Sequence, residues 1–152
     1  MDNKKIASVL RAVADKLTDY RMSHGAPDRR SGGAPLHDVE VVMPDYYTHP
    51  HYYFSDSDRR HDRNVSQLIY SFKGQPDRWV TIYRAVPGNV TTINPGDWVT
   101  ISKKYAQDHM AGEQGWHILS KEVPAKELFT AGDSHFEWGW DPTPDSINED
   151  LN

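Results

Sequence analysis

The period of the apolar residues changes once along this chain, at Gln75-Pro76-Asp77, and that change decides the fold class. Before it, apolar side chains recur every three or four positions, the repeat of a helix. After it they alternate, the repeat of a strand. Ile6, Val9, Leu10, Val13 and Leu17 form one stripe and predict a helix over 4–20. Packing on its own domain is the ordinary use of such a stripe, and binding a partner is the alternative. Val65, Leu68, Ile69 and Phe72 form a second stripe over 62–72, with Asp62 placed to cap its start and Lys73-Gly74 to end it.

Beyond the switch, residues 79–86 set Val80, Ile82 and Arg84 on one side and Trp79, Thr81 and Tyr83 on the other. Asn94-Pro95-Gly96-Asp97 is a turn sequence leading to a strand over 98–101. Ser102 is placed to cap a short helix over 103–111, which Gly112 and Gly115 end. Further strands are expected over 116–123 and 135–140, with Glu127–Thr130 and a Gly132-Asp133 turn between them. Helices followed by short, mostly antiparallel strands make an α+β domain. At 152 residues the chain forms one domain: an N-terminal helix in 1–23, a long loop region in 24–60, a helix-plus-strand core in 62–140 and a tail in 141–152. The loop region is punctuated by Gly and Pro, with one short strand expected at Val39-Glu40-Val41-Val42-Met43. Its end carries Tyr46, Tyr47, Tyr52, Tyr53 and Phe54, which are expected to pack on the body.

Composition narrows the function classes. Only 37% of residues are hydrophobic and the mean hydropathy is -0.77, so the core leans on four Phe, five Trp and eight Tyr. A net charge of -5 argues against non-specific binding of nucleic acid. No apolar run approaches the roughly 20 residues that cross a bilayer, and the first ten residues lack a secretory pattern. The absence of cysteine excludes disulfides, thiolate metal sites and cysteine nucleophiles, and is compatible with a reducing cytoplasm, the expected location.

Eight histidines invite a metal reading, with His49 and His51 flanking Pro50 and His61 or Asp58 as further ligands. The spacing matches no zinc motif, and surface polarity in an aromatic loop is the preferred reading, so no metal is expected. Neither a Gly-x-Ser-x-Gly elbow nor a phosphate-binding glycine loop is present. Three strand-borne polar residues remain. Arg84 continues an apolar face, either snorkelling at a sheet edge or held to meet an anion. Ser102 joins a strand to a helix, as a plain N-cap or facing a polar ligand. Glu137 lies within Phe136-Glu137-Trp138-Gly139-Trp140, on an exposed strand face or in a desolvated site.

Their order and spacing carry a resemblance. Val80-Thr81-Ile82-Tyr83-Arg84-Ala85-Val86-Pro87, then Ile93-Asn94-Pro95-Gly96-Asp97-Trp98-Val99-Thr100-Ile101-Ser102, then Glu137-Trp138-Gly139-Trp140 resemble the arginine–serine–glutamate class of ADP-ribosyltransferases, in particular the small domains of phage-encoded proteins. The likeness covers about residues 79–142; Pro35-Leu36-His37-Asp38 extends it weakly. It implies a split antiparallel sheet with NAD+ as co-substrate in the cleft between its halves. By that resemblance Glu137 is the catalytic carboxylate, while Arg84, Ala85, Ser102, Thr100 and Tyr83 line the NAD+ site. It further implies transfer of ADP-ribose to a macromolecular acceptor, a host protein modified by a phage or bacterial effector. NAD+ glycohydrolysis and a non-catalytic binding protein are the alternatives; a structural component of a phage particle is a weaker one. Two departures stand out. Thr100-Ile101-Ser102 replaces the usual Ser-Thr-Ser, and His135 stands two positions before Glu137, where the family carries the Glu or Gln that selects the acceptor. His135 is thus an acceptor-side candidate.

Overall fold

The computed structural model describes residues 25–142. The helix expected over 4–20 and the tail beyond 142 lie outside the described residues. Within them the architecture is mixed α and β, with two antiparallel sheets and two helices. Among the described residues no helix is long and apolar enough to cross a membrane.

The loop region holds one two-residue strand, β1 (Ala34–Pro35). The strand expected at 39–43 is instead a single 3-10 turn, Val39–Val41. Its buried members explain the difference. Val39 and Met43 face the core four positions apart, joined by a Met43 N–H to Val39 carbonyl bond of 2.8 Å, while Val41 points to solvent. A spacing of four belongs to a helical path and not to a pleat. A second turn, Pro50–Tyr53, leads to helix α1 (Arg59–Ser71).

Helix α1 starts earlier than the apolar stripe suggests, because Asp58 caps it by accepting from the N–H groups of Arg60 and His61. Asp62 is therefore not the cap. It lies in the first turn with its side chain fully buried. Val65 and Ile69 face the core as expected, followed by Phe72 at the C-cap.

Strands β2 (Trp79–Pro87) and β4 (Trp116–Pro124) pair along their whole length as a two-stranded sheet, Trp79 opposite Pro124 and Pro87 opposite Trp116. The other sheet has the order β1-β5-β6-β3, with β3 (Trp98–Val99), β5 (Leu128–Thr130) and β6 (Trp138–Trp140). The two sheets meet at one bridge, where Tyr83 and Thr100 exchange backbone hydrogen bonds of 2.8 and 2.9 Å. Helix α2 (Lys103–Met110) follows β3.

The core lies between α1, the two sheets and the loop turns, built from Leu36, Met43, Ile69, Ile82, Leu128 and Trp138. Alternation in β2 holds for its first half, with Val80 and Ile82 buried and Trp79 63% exposed. The last strand is shorter than the expected 135–140. His135, Phe136 and Glu137 precede it as irregular chain, and all six residues are buried, so both faces of this segment are covered. Gly139 shows why the strand reads Trp-Gly-Trp. The backbone of Pro27 crosses over it so closely that a Cβ would collide with the Pro27 carbonyl.

Candidate functional site

The turn from β3 into α2 gathers a hydrogen-bonded set of polar side chains. Thr100 Oγ1 accepts the Ser102 N–H at 3.1 Å, and Ser102 Oγ accepts the Tyr105 N–H at 3.1 Å, so the serine caps α2 as its sequence position predicts. The same hydroxyl lies 2.6 Å from His61 Nε2 on α1, and His61 Nδ1 lies 2.7 Å from Asp56 Oδ2. The Asp58 N–H bonded to Asp56, then the His61 contact, hold the Asp56 carboxyl below the usual carboxylate range. An ionised Asp56 can only accept, so in the neutral imidazole Nδ1 carries the proton and Nε2 accepts the Ser102 hydroxyl. His61 is 5% exposed and Ser102 8%.

Tyr105 links this turn to the last strand. Its hydroxyl donates to Glu137 Oε1 at 2.7 Å, and its ring stacks on Phe136 at 4.9 Å with the planes 4° apart. Phe136 also packs against the rings of His61 at 4.7 Å and His135 at 4.5 Å. Glu137 is 8% exposed. Its backbone lies one step beyond the Val99–Trp138 pair of the β3–β6 ladder, hence beside Thr100, which bridges to Tyr83. Tyr83, Thr100, Ser102 and Glu137 are thus gathered where the two sheets meet.

Arg84 is held apart. With Tyr83 opposite Thr100, the pleat sends the next side chain to the other face. There Arg84 Nη1 donates to the Trp98 carbonyl at 2.8 Å, and Nε lies 3.8 Å from Asp97 Oδ2 without a hydrogen-bond partner. Ala85 is half-buried opposite Ile118 in the β2–β4 pair.

His135 does not face an acceptor. It is fully buried, with Nε2 2.6 Å from Asp62 Oδ1 and Nδ1 2.8 Å from the Tyr46 hydroxyl. Burial pushes its pKa down, against a smaller upward pull from Asp62, and burial together with Asp62 raises that of Tyr46. Tyr46 therefore stays a phenol donating to His135, which donates to Asp62. Asp62 also accepts from the N–H groups of Ser55 at 3.2 Å and Asp56 at 2.8 Å. The last of these ties the buried Tyr46–His135–Asp62 chain to the Ser102–His61–Asp56 chain.

Of the histidines considered as metal ligands, His49 and His51 stay in ring contact at 5.9 Å, while His61 is engaged by Asp56 and Ser102. His49 stacks on Tyr52 and contacts Thr48, and Asp58 is occupied with capping α1. Among the described residues a different grouping could take an ion, Asp56, His61 and Asp108, whose ligand atoms lie within 4.8 Å of one another. Sequence reasoning weighed His61 only as a metal ligand and missed the roles of Asp56, Asp62, Tyr46 and Tyr105. A local signal exists for Tyr105 alone, which stands one helical turn after the capping serine.

Compared with protein-family models, curated proteins and solved structures, the chain finds no match in any of the three.

Proposed function

We propose that the protein is a mono-ADP-ribosyltransferase that moves ADP-ribose from NAD+ to a macromolecular acceptor. The observation that carries this reading is Glu137, a nearly buried carboxylate aimed by the Tyr105 hydroxyl, one residue removed from Ser102 through that same tyrosine. Two sheets, one bearing Arg84 and one bearing Glu137, joined at a single bridge, agree with the split sheet that the resemblance implies.

Breaking the nicotinamide–ribose bond sends its electron pair to the nicotinamide nitrogen and leaves positive charge spread over the ribose C1' and ring oxygen. A fixed carboxylate in a partly desolvated site stabilises that charge more in the transition state than in the ground state. Glu137 has this character, and Tyr105 holds it in one orientation. The acceptor nucleophile then attacks C1' and loses its proton. In this reading Ser102 and Thr100 orient the ribose and Tyr83 and Ala85 lie along the nicotinamide side, while Arg84, on the other face of β2, would have to turn from the Trp98 carbonyl and Asp97 to meet the pyrophosphate with its permanent charge. The acceptor follows from the resemblance as a host protein, and the setting as a phage or bacterial effector acting in the cytoplasm.

Incubation with labelled NAD+ and host lysate, wild type against Glu137→Gln, tests the reading. Label is expected on a discrete macromolecule with wild type, falling at least ~100-fold with Glu137→Gln while NAD+ affinity stays within a few-fold. Wild-type transfer by the variant would remove Glu137 from its role. Nicotinamide release without labelled product would make the enzyme a glycohydrolase, and neither product would leave a binding protein.

A further inference from the structure

A ribose-orienting serine needs only its hydroxyl, yet Ser102 is backed by an imidazole and then a carboxylate: Ser102 Oγ to His61 Nε2 at 2.6 Å, His61 Nδ1 to Asp56 Oδ2 at 2.7 Å. These are the roles of nucleophile, general base and orienting acid, in the correct tautomer and at hydrogen-bond distance. The serine stands at a strand-to-helix turn, β3 into α2, with the N–H of the following residue, Lys103, at the positive end of the helix. Ser102 and His61 open onto a pocket of about 420 Å³ whose other walls include Val65, Leu68 and Ile101, with Asp58, Arg60, Asn64 and the Asp108-paired Lys104 on its exposed rim. Apolar walls with a few convergent polar groups suit a small organic ligand. Asp56 is itself held by the N–H of Asp58 and, through its own N–H, by Asp62, so the acid is fixed before any substrate arrives.

We infer that Ser102, His61 and Asp56 form a nucleophilic triad that cleaves carboxylic esters with a short apolar acyl group. The acyl chain lies along Val65, Leu68 and Ile101. Ser102 Oγ bonds to the acyl carbon as His61 Nε2 takes its proton. The bond from that carbon to the alcohol oxygen then breaks, and the alcohol leaves with the proton from His61. A water next attacks the acyl carbon, giving its proton to His61. The acyl–serine bond breaks, and that proton returns to Ser102 Oγ. The sum is ester plus water to acid plus alcohol, with no further reactant.

The test uses the full chain without NAD+, so its result is independent of the transferase reading. Folded wild type is treated with a fluorophosphonate, the adduct is mapped by mass spectrometry, and p-nitrophenyl butyrate hydrolysis is followed alongside. The expected results are an adduct on Ser102 that urea-unfolded protein does not form, and hydrolysis insensitive to EDTA. In His61→Gln both rates are expected to fall at least ~100-fold, the usual scale for loss of a general base. Because the adduct is read on wild type, the outcome does not depend on a variant folding. No adduct on Ser102 in the folded protein overturns the assignment, as does undiminished hydrolysis in His61→Gln. Hydrolysis abolished by EDTA also overturns it, and would assign Asp56, His61 and Asp108 to a metal instead.

Discussion

Removing the Asp62 side chain should destabilise this fold more than its small volume suggests. Three donors converge on its fully buried carboxylate: the N–H groups of Ser55 and Asp56, and His135 Nε2 at 2.6 Å. Asp62→Ala strands all three. Each buried donor left without an acceptor costs about 1–3 kcal/mol. Some of the stranded donors will recover water at the part-buried Ser55–Asp56 end, so the sum of three full penalties is not reached. We expect a loss of about 3–5 kcal/mol, a large share of the roughly 5–15 kcal/mol that holds a typical domain together. Asp62→Asn discriminates the cause. Its amide keeps the shape and one acceptor oxygen, and His135 can switch tautomer to meet the new NH2 group, so about one donor is stranded, a loss of about 1–3 kcal/mol. Urea unfolding followed by tryptophan fluorescence and far-UV circular dichroism measures both, with an unchanged dependence on denaturant confirming that the folded and unfolded states are comparable. If Asp62→Ala lies within ~1 kcal/mol of wild type, the convergence of donors on Asp62 does not stabilise the fold. If Asn and Ala lose equally, the loss comes from something other than stranded donors.

Two further outcomes follow from the same packing. His135 is neutral when folded because burial lowers its pKa from the ordinary 6.5, whereas the unfolded chain takes up a proton there as the pH drops. The unfolded state then binds more protons, so stability is full above about pH 6.5 and declines as the pH falls below it toward the folded pKa. Urea midpoints measured between pH 8 and pH 5 should show this decline, with a shallower one in His135→Gln; equal slopes would place the proton uptake elsewhere. Gly139→Ala should destabilise by about 1–3 kcal/mol or more, the usual range for overpacking, because the new methyl meets the Pro27 carbonyl and Ala26 Cβ. A thermal midpoint equal to wild type would show that the 25–28 segment moves aside without loss.

How much of this was legible along the chain depends on how local each signal is. Ser102 was correctly placed as the cap of a short helix because capping involves an N–H only three residues away. The alternation of Val80 and Ile82 located β2 for the same reason. Asp58 and Asp62 were harder to separate, since each precedes helical residues that a carboxylate can cap. The choice was made by packing, which turns Asp62 inward to His135, 73 positions away. The segment 135–137 looked like strand because His-Phe-Glu-Trp alternates in polarity. It runs instead through the middle of the molecule, covered on both sides, where alternation carries no information about the backbone.

The α+β class, the α1 stripe, the β2 ladder strand and the Ser102 cap all rest on interactions spanning a few residues, and these are written in the order of side chains. What the chain does with its polar residues was decided across longer distances. His61 meets Ser102 over 41 positions, and Tyr105 meets Glu137 over 32. Arg84, adjacent to Tyr83 in sequence, is sent to the opposite face by one step of the pleat. A hydrogen bond depends on the final separation of two atoms, and that separation exists only after the helices and sheets have packed. Local periodicity therefore named the elements, and packing chose which histidine met a serine hydroxyl and which was sealed beneath Tyr46.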